Sequence, residues 1–298
     1  MQNKKPKVLA IVGPTASGKS SLAVMIAKKY EGEVISADSR QVYRGLDIGT
    51  EKITKEEMAG IPHHLINVCD PHETFTVEIF KRQAAEAIAD IFERGKLPII
   101  VGGTGWYVDA LLYDVDIPSV PPNTELRDML EAKTVEELFL LLETKDPERA
   151  STIDRHNKRR LVRALEIAEA LGSVPLLNEK NMAYDALIIG IETEDGVLKK
   201  RIETRLDQTL DRGLIDETRK LHESGITWER MGEFGLEYNI AGRFLRGEIN
   251  EKTMRERMRH ELWQYVKRQR TWFKRNKDIE WFDPGEAEKI FAVIDTFI

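Results

Sequence analysis

The chain has 298 residues, 41% of them hydrophobic and 32% charged, with a formal charge of −6 at neutral pH. This composition suits one large soluble domain, or one domain with an insertion, and no apolar run approaches the roughly eighteen residues that cross a bilayer. A single cysteine, Cys69, excludes a disulfide framework or a multi-cysteine zinc site, and the polar start from Met1 to Lys7 is unlike a signal peptide, so a cytoplasmic location is expected.

The first predicted strand is Val8-Leu9-Ala10-Ile11-Val12, a short apolar run of the kind a buried parallel strand shows. It leads into Gly13-Pro14-Thr15-Ala16-Ser17-Gly18-Lys19-Ser20, which fits the phosphate-cradling pattern G-x-x-x-x-G-K-[ST]. Apolar residues at helical spacing follow from Leu22 to Ala27. The glycines let successive N–H groups turn toward anionic oxygens, and the helix beginning at Lys19 adds the positive end of its dipole. The Lys19 ammonium is expected on the outer phosphates, and the Ser20 hydroxyl on a magnesium ion bridging them. A strand, loop and helix in this order point to a ligand carrying a diphosphate or triphosphate.

A second buried strand is predicted at Glu33-Val34-Ile35-Ser36-Ala37-Asp38-Ser39. Ligands of open α/β sheets lie beyond the carboxyl ends of strands, so Asp38 and Ser39 should face the same crevice as Lys19. Three roles compete for Asp38: magnesium ligand, general base or acceptor for a second substrate, and turn cap. The segment from Arg40 through Gln41 to Thr50 is a polar loop rich in specific side chains. His63 and His64 are adjacent, lack a third ligand at metal spacing, and read as structural. Phe75 to Glu93 is predicted as an amphipathic helix with Phe80, Ala84, Ala87, Ile88 and Ile91 facing inward. A further strand, Leu97-Pro98-Ile99-Ile100-Val101, runs into Gly102-Gly103-Thr104, where small residues allow close ligand approach and Thr104 supplies a hydroxyl.

From Asp116 the texture becomes proline-broken, helical and charged, through roughly Glu179. The expected organisation is a core of residues 1–116 and 184–298 with a helical insertion at 117–183. Inside the insertion, Arg159, Arg160 and Arg163 share a helix face beside an apolar face of Leu161, Ala164, Leu165 and Ala168. That face reads equally as a solvated surface or as a phosphate-backbone contact. Ala186 to Ile191 returns the chain to the sheet, and Glu192 to Arg219 is predicted as one charged helix with Arg201 and Arg205 a turn apart. Between Lys252 and Lys277 stand ten Lys or Arg against two acids, interleaved with Trp263, Tyr265, Trp272 and Phe273. Cations alternating with aromatics suit single-stranded nucleic acid, and they suit equally an amphipathic helix packed on the core. The fold class is therefore α/β, a P-loop NTPase-like parallel sheet flanked by helices, with a helical insertion. A small-molecule kinase and an RNA-binding NTPase module both remain compatible with that core.

Six segments in order resemble the tRNA dimethylallyltransferase (tRNA isopentenyltransferase) family: GPTASGKS at 13–20, ISADSRQVYRGLDIGTEK at 35–52, PHHLINVCDP at 62–71, LPIIVGGTGWY at 97–107, RRLVRALEI at 159–167 and KRQRTWF at 267–273. The resemblance implies transfer of a dimethylallyl group from dimethylallyl diphosphate, with Mg2+, to N6 of the adenosine just 3′ of the anticodon. It implies that the loop 13–20, with Lys19 and Arg205, holds the diphosphate, and that Asp38 is the base. Thr104 would contact the flipped adenine or the diphosphate, completing a catalytic set of Asp38, Thr104 and Lys19. It also implies that Asp38, Ser39, Arg40, Gln41, Thr104, Arg127, Arg159, Arg160, Leu161, Val162 and Arg163 meet the tRNA anticodon stem-loop. A monomer is the starting expectation. The chain departs from the family pattern where DIGTAK reads DIGTEK, with Glu51, and in the segment Phe234-Gly235-Leu236-Glu237-Tyr238-Asn239.

Overall fold

The computed structural model describes residues 5–175 and 181–298. Its centre is a six-stranded parallel sheet of order β3-β2-β4-β1-β5-β6: β1 Lys7–Val12, β2 Gly32–Ser36, β3 His63–His64, β4 Leu97–Gly102, β5 Asp185–Ile191 and β6 Ile279–Phe282. β1 lies in the middle, pairing in parallel with β4 (Leu9 opposite Ile99, Val12 opposite Gly102) and with β5 (Ile11 opposite Ile189). Strands buried on both faces read as continuous apolar runs, and the runs in β1, β4 and β5 supply them. Leu9, Ile11, Ile26, Val34, Ile99, Val101, Ile189 and Ile191 share one core with Ile290 and Ile294 of the last helix.

Three elements differ from their expected bounds. β2 ends at Ser36, because the backbone leaves the sheet to make the turn that presents Asp38. The single helix expected over 192–219 is two, Asp195–Asp211 and Leu214–Glu223, separated at Gly213 with φ of 100°, a left-handed conformation that glycine accepts readily. The helix expected from Phe75 begins at Val77, capped by the Thr76 hydroxyl, and buries Phe80, Ala84, Ile88 and Ile91. His63 and His64 form edge strand β3, where His63 Nδ1 pairs with Ile61 O and His64 Nε2 with buried Glu33, both at 2.8 Å.

The chain divides into two compact units, Met1–Asp114 with Asn181–Ile298, and Val115–Lys180. The insertion expected at 117–183 matches the second unit to within a few residues, and residues 176–180 lie outside the described residues. The second unit packs the helices Thr124–Glu131, Val135–Lys145, Pro147–Thr152 and Lys158–Leu171 around Leu130, Leu138, Leu142, Leu161 and Leu165. Each begins at a side-chain cap, from Asn123, Thr134, Asp146 and Asn157 respectively, which satisfies N–H groups the helix cannot pair internally.

Candidate active site in the phosphate-loop crevice

The carboxyl ends of β1, β2 and β4 open onto a cleft of about 1240 Å³ within the sheet unit, lined by residues that include Thr15 to Ser20, Asp38, Arg40, Gln41, Glu51, Arg201, Arg205 and Glu237. The phosphate loop forms its floor. Gly13 (φ 142°) and Gly18 (φ 95°) adopt left-handed backbone, and a Cβ on Gly13 would lie 2.6 Å from Ile191 O. Ser17 is fully buried, Ser20 is exposed at the first turn of the Lys19–Lys29 helix, and both line the cleft. Gly13 and Pro14 shape the turn from behind the lining.

Lys19 is 9% exposed and its Nζ donates to Pro14 O within the loop. Burial, reinforced by the nearby Arg205 charge and opposed by Asp38, pulls its ammonium down to about 7. Two arginines of the Asp195–Asp211 helix reach the same loop. Arg201 Nη1 donates to Ala16 O at 3.4 Å and Arg205 Nη1 to Thr15 Oγ1 at 3.2 Å. Burial lowers Arg205 to about 10, and it stays a cation. Lys19, Arg205 and the loop N–H groups therefore make one positive end of the cleft. Anions bind such a place without further help.

Asp38 follows β2. Its Oδ1 accepts from Arg40 N–H at 2.8 Å and Gln41 N–H at 3.3 Å, so one oxygen does the work of a turn cap. Among the described residues no group donates to Oδ2. The Thr104 hydroxyl accepts from Ser39 N–H at 3.1 Å and lies 3.4 Å from Ser39 Oγ. That bond ties the end of β4 to the turn carrying Asp38, although Thr104 and Ser39 are not among the residues lining the cleft. Gln41 is held to the 46–52 loop by donating to Thr50 O and Glu51 O, each at 3.3 Å.

Several cleft residues, Tyr265 excepted, carried no site role in the sequence. Glu237, a departure from the family pattern, lines the cleft, and burial pushes its carboxyl up to about 7 against the pull of Arg40 and Arg205. Glu51 pairs with Arg205. Tyr265, Arg268 and Gln269 of the Glu251–Phe273 helix line one side. Within that helix the expected base-stacking set divides. Phe273 is 2% exposed, and Trp272 donates to Asp109 Oδ2 at 3.1 Å, so both pack on the core. Trp263 stays partly exposed with Lys199 Nζ 4.9 Å from its ring centre.

The second unit corrects part of the expected tRNA set. Leu161 and Val162 are 0% and 5% exposed in that unit's own core, so their side chains cannot meet RNA there. Arg127 Nε donates to Glu166 Oε1 at 2.9 Å, and Arg163 pairs with Glu166 Oε2 and donates to Val120 O at 2.9 Å. Both arginines thus neutralise a buried carboxylate, because an unpaired buried charge is costly. Burial raises Glu166, but Arg127, the Asn123 N–H and Arg163 outweigh it and hold the acid below its usual range. Arg159 and Arg160 remain exposed.

Parallel sheet, phosphate loop and cation-rich cleft together define a P-loop α/β protein. The chain belongs to the IPP transferase family, whose model matches residues 41–276, and an isopentenyl transferase model matches residues 6–69. It is 41% identical to a tRNA dimethylallyltransferase of Anoxybacillus flavithermus over 93% of this chain and 90% of that one, and 40% identical to one of Bacillus licheniformis over 100% and 98%. The solved full-length tRNA isopentenylpyrophosphate transferase of Bacillus halodurans superposes with a TM-score of 0.75 at 40% identity, covering 98% of this chain and 97% of that one. A eukaryotic dimethylallyltransferase acting on tRNA superposes at 0.82 with 30% identity, covering 98% and 79%. The kinase and NTPase-module alternatives fall away with that membership.

Proposed function

We propose that this protein transfers the dimethylallyl group of dimethylallyl diphosphate to N6 of the adenosine 3′-adjacent to the tRNA anticodon, forming N6-(dimethylallyl)adenosine and diphosphate. One observation carries the assignment of roles: Lys19 and Arg205 at one end of a cleft whose lining also holds Asp38. In the step, the C1–O bond of the donor breaks and its electron pair leaves on the diphosphate. The N6 lone pair forms the new C–N bond, and an N6 proton passes to Asp38. Lys19, Arg205 and the loop N–H groups stabilise the departing charge, a contribution often worth about 3 kcal/mol per donor. Asp38 Oδ2 stands ready to accept the proton while Oδ1 keeps the turn.

The donor set also fits magnesium. The described residues hold no cluster of three or more His, Cys, Asp or Glu able to bind a metal, and Ser20 offers a single hard oxygen beside the loop. Magnesium suits that arrangement because it takes few protein ligands and keeps waters and phosphate oxygens. Bound with the donor, it supplies charge neutralisation for the leaving group. On this reading Arg40, Gln41, Arg159 and Arg160 meet the anticodon stem-loop, and the protein works in the cytoplasm as a monomer. Incubating it with unmodified tRNA and either dimethylallyl diphosphate or ATP tests the donor. The first mixture should release diphosphate in proportion to RNA consumed, and the second should yield nothing; the opposite pattern overturns the reading.

A further inference from the structure

Gln269 sits in the Glu251–Phe273 helix and is 5% exposed. Its amide joins two segments far apart in the chain: Oε1 accepts from Thr15 N–H at 2.9 Å, and Nε2 donates to Gly103 O at 3.0 Å. Thr15 belongs to the phosphate loop, and Gly103 lies in the turn between β4 and Thr104. The fit is close. A Cβ on Gly103 would lie 2.3 Å from Gln269 Nε2, and one on Gly105 would lie 2.1 Å from Trp272 Cδ1. The helix therefore rests directly on the glycine turn, and a Cβ at Gly103 would push the Gln269 amide out of its two bonds. Thr15 Oγ1 in turn accepts from Arg205 Nη1 at 3.2 Å. A chain of hydrogen bonds thus runs from Gly103 through Gln269 and Thr15 to Arg205.

We propose that Gln269 is a positioning residue for the transfer reaction, fixing the phosphate loop against the strand-end turn so that donor and acceptor meet at reacting distance. The inference rests on the function proposed above. An amide is suited to the task because one planar group must donate to a carbonyl and accept from an N–H at once. Methionine fills the space and can do neither. A neutral carboxylic acid reproduces both bonds, whereas an ionised carboxylate cannot donate and places charge beside Gly103 O. Transfer between two bound partners is steeply sensitive to their separation, and an error near 1 Å costs roughly a hundredfold.

The test uses the full chain, saturating dimethylallyl diphosphate and tRNA, and single-turnover rates per folded molecule. Gln269→Met should lower the rate by about ten- to a hundredfold, with the inorganic pyrophosphate Kd moved much less, because the loop keeps its charges. Gln269→Glu should regain rate relative to wild type as pH falls and its side chain becomes neutral. A purely structural role would not give that pH-dependent recovery at constant folded fraction. A folded Gln269→Met protein at wild-type rate, or a Gln269→Glu profile parallel to wild type, overturns the proposal. Failure of the functional reading shows separately, in the wild-type arm, as folded protein that binds pyrophosphate but transfers nothing to RNA.

Discussion

Glu51 holds the arginine that a diphosphate would need. Arg205 Nε pairs with Glu51 Oε2, while Glu51 Oε1 accepts from Thr209 Oγ1 at 2.9 Å and Arg205 Nη1 reaches Thr15. The relationship places an internal anion at the positive end of the cleft.

A bound diphosphate must share or displace that carboxylate. Glu51→Ala should therefore tighten inorganic pyrophosphate binding by about fivefold, the scale of ~1 kcal/mol for an ion pair that is partly exposed. Arg205→Ala should weaken it. Calorimetric titration of both variants decides the sign, and weaker binding by Glu51→Ala would mean that the carboxylate orients the arginine instead.

Lys19 makes donor binding pH-dependent. Its pKa is depressed to about 7 by burial and by Arg205, with Asp38 pulling the other way. Below pH 7 the ammonium is already present and adds no dependence. Above it, the diphosphate must recruit a proton to Lys19, so affinity falls as pH rises, at up to about 1.4 kcal/mol per unit. Lys19→Arg, charged throughout, should lack this slope, which separates it from titration of pyrophosphate itself. Lys19→Ala should lose about 10²–10³-fold in turnover. Equal slopes in wild type and Lys19→Arg would remove the lysine from the donor site.

Asp38→Asn separates the two oxygens of one side chain. Asparagine keeps a carbonyl oxygen for the Arg40 and Gln41 N–H groups, so the turn should survive. The chemical step should slow by about 10²–10⁴-fold while pyrophosphate and magnesium binding barely move. If magnesium affinity falls with the rate, Asp38 is a metal ligand.

The basic helix of the second unit should divide by substitution. Arg160, exposed, should on alanine substitution flatten the dependence of log affinity for tRNA on log salt by about 0.7–0.9, one phosphate contact. Arg127→Ala strips the buried Glu166 carboxylate of a two-bond partner and should cost about 3 kcal/mol in denaturant unfolding of the chain. An unchanged unfolding midpoint would contradict the structural role given to that pair.

What was legible in the sequence was whatever is local. β1, β4 and β5 are apolar runs, and the phosphate loop is a contiguous pattern between a strand and a helix. β3 and β6 were not seen, because edge strands are short and carry polar residues such as His63 and Glu280. Spacing placed Arg205 one turn from Arg201, and only the resemblance gave it the diphosphate. Gln269 lies 254 positions from the Thr15 N–H it holds, and no periodicity reports such a bond. The cluster at 159–163 shows the opposite failure. Its charges read as one face, but Arg163 turns to Glu166, while Leu161 lies inward as the spacing gave and Val162 joins it, against the tRNA role the resemblance implied.

The most direct test is the mass of the tRNA product. Unmodified tRNA, dimethylallyl diphosphate, magnesium and the protein are incubated, and the RNA is cleaved and weighed fragment by fragment. The account predicts that one anticodon-loop fragment gains a single five-carbon dimethylallyl unit, on the adenosine 3′ of the anticodon, and that Lys19→Ala yields none. RNA of unchanged mass, from folded protein that binds both tRNA and pyrophosphate, would contradict it.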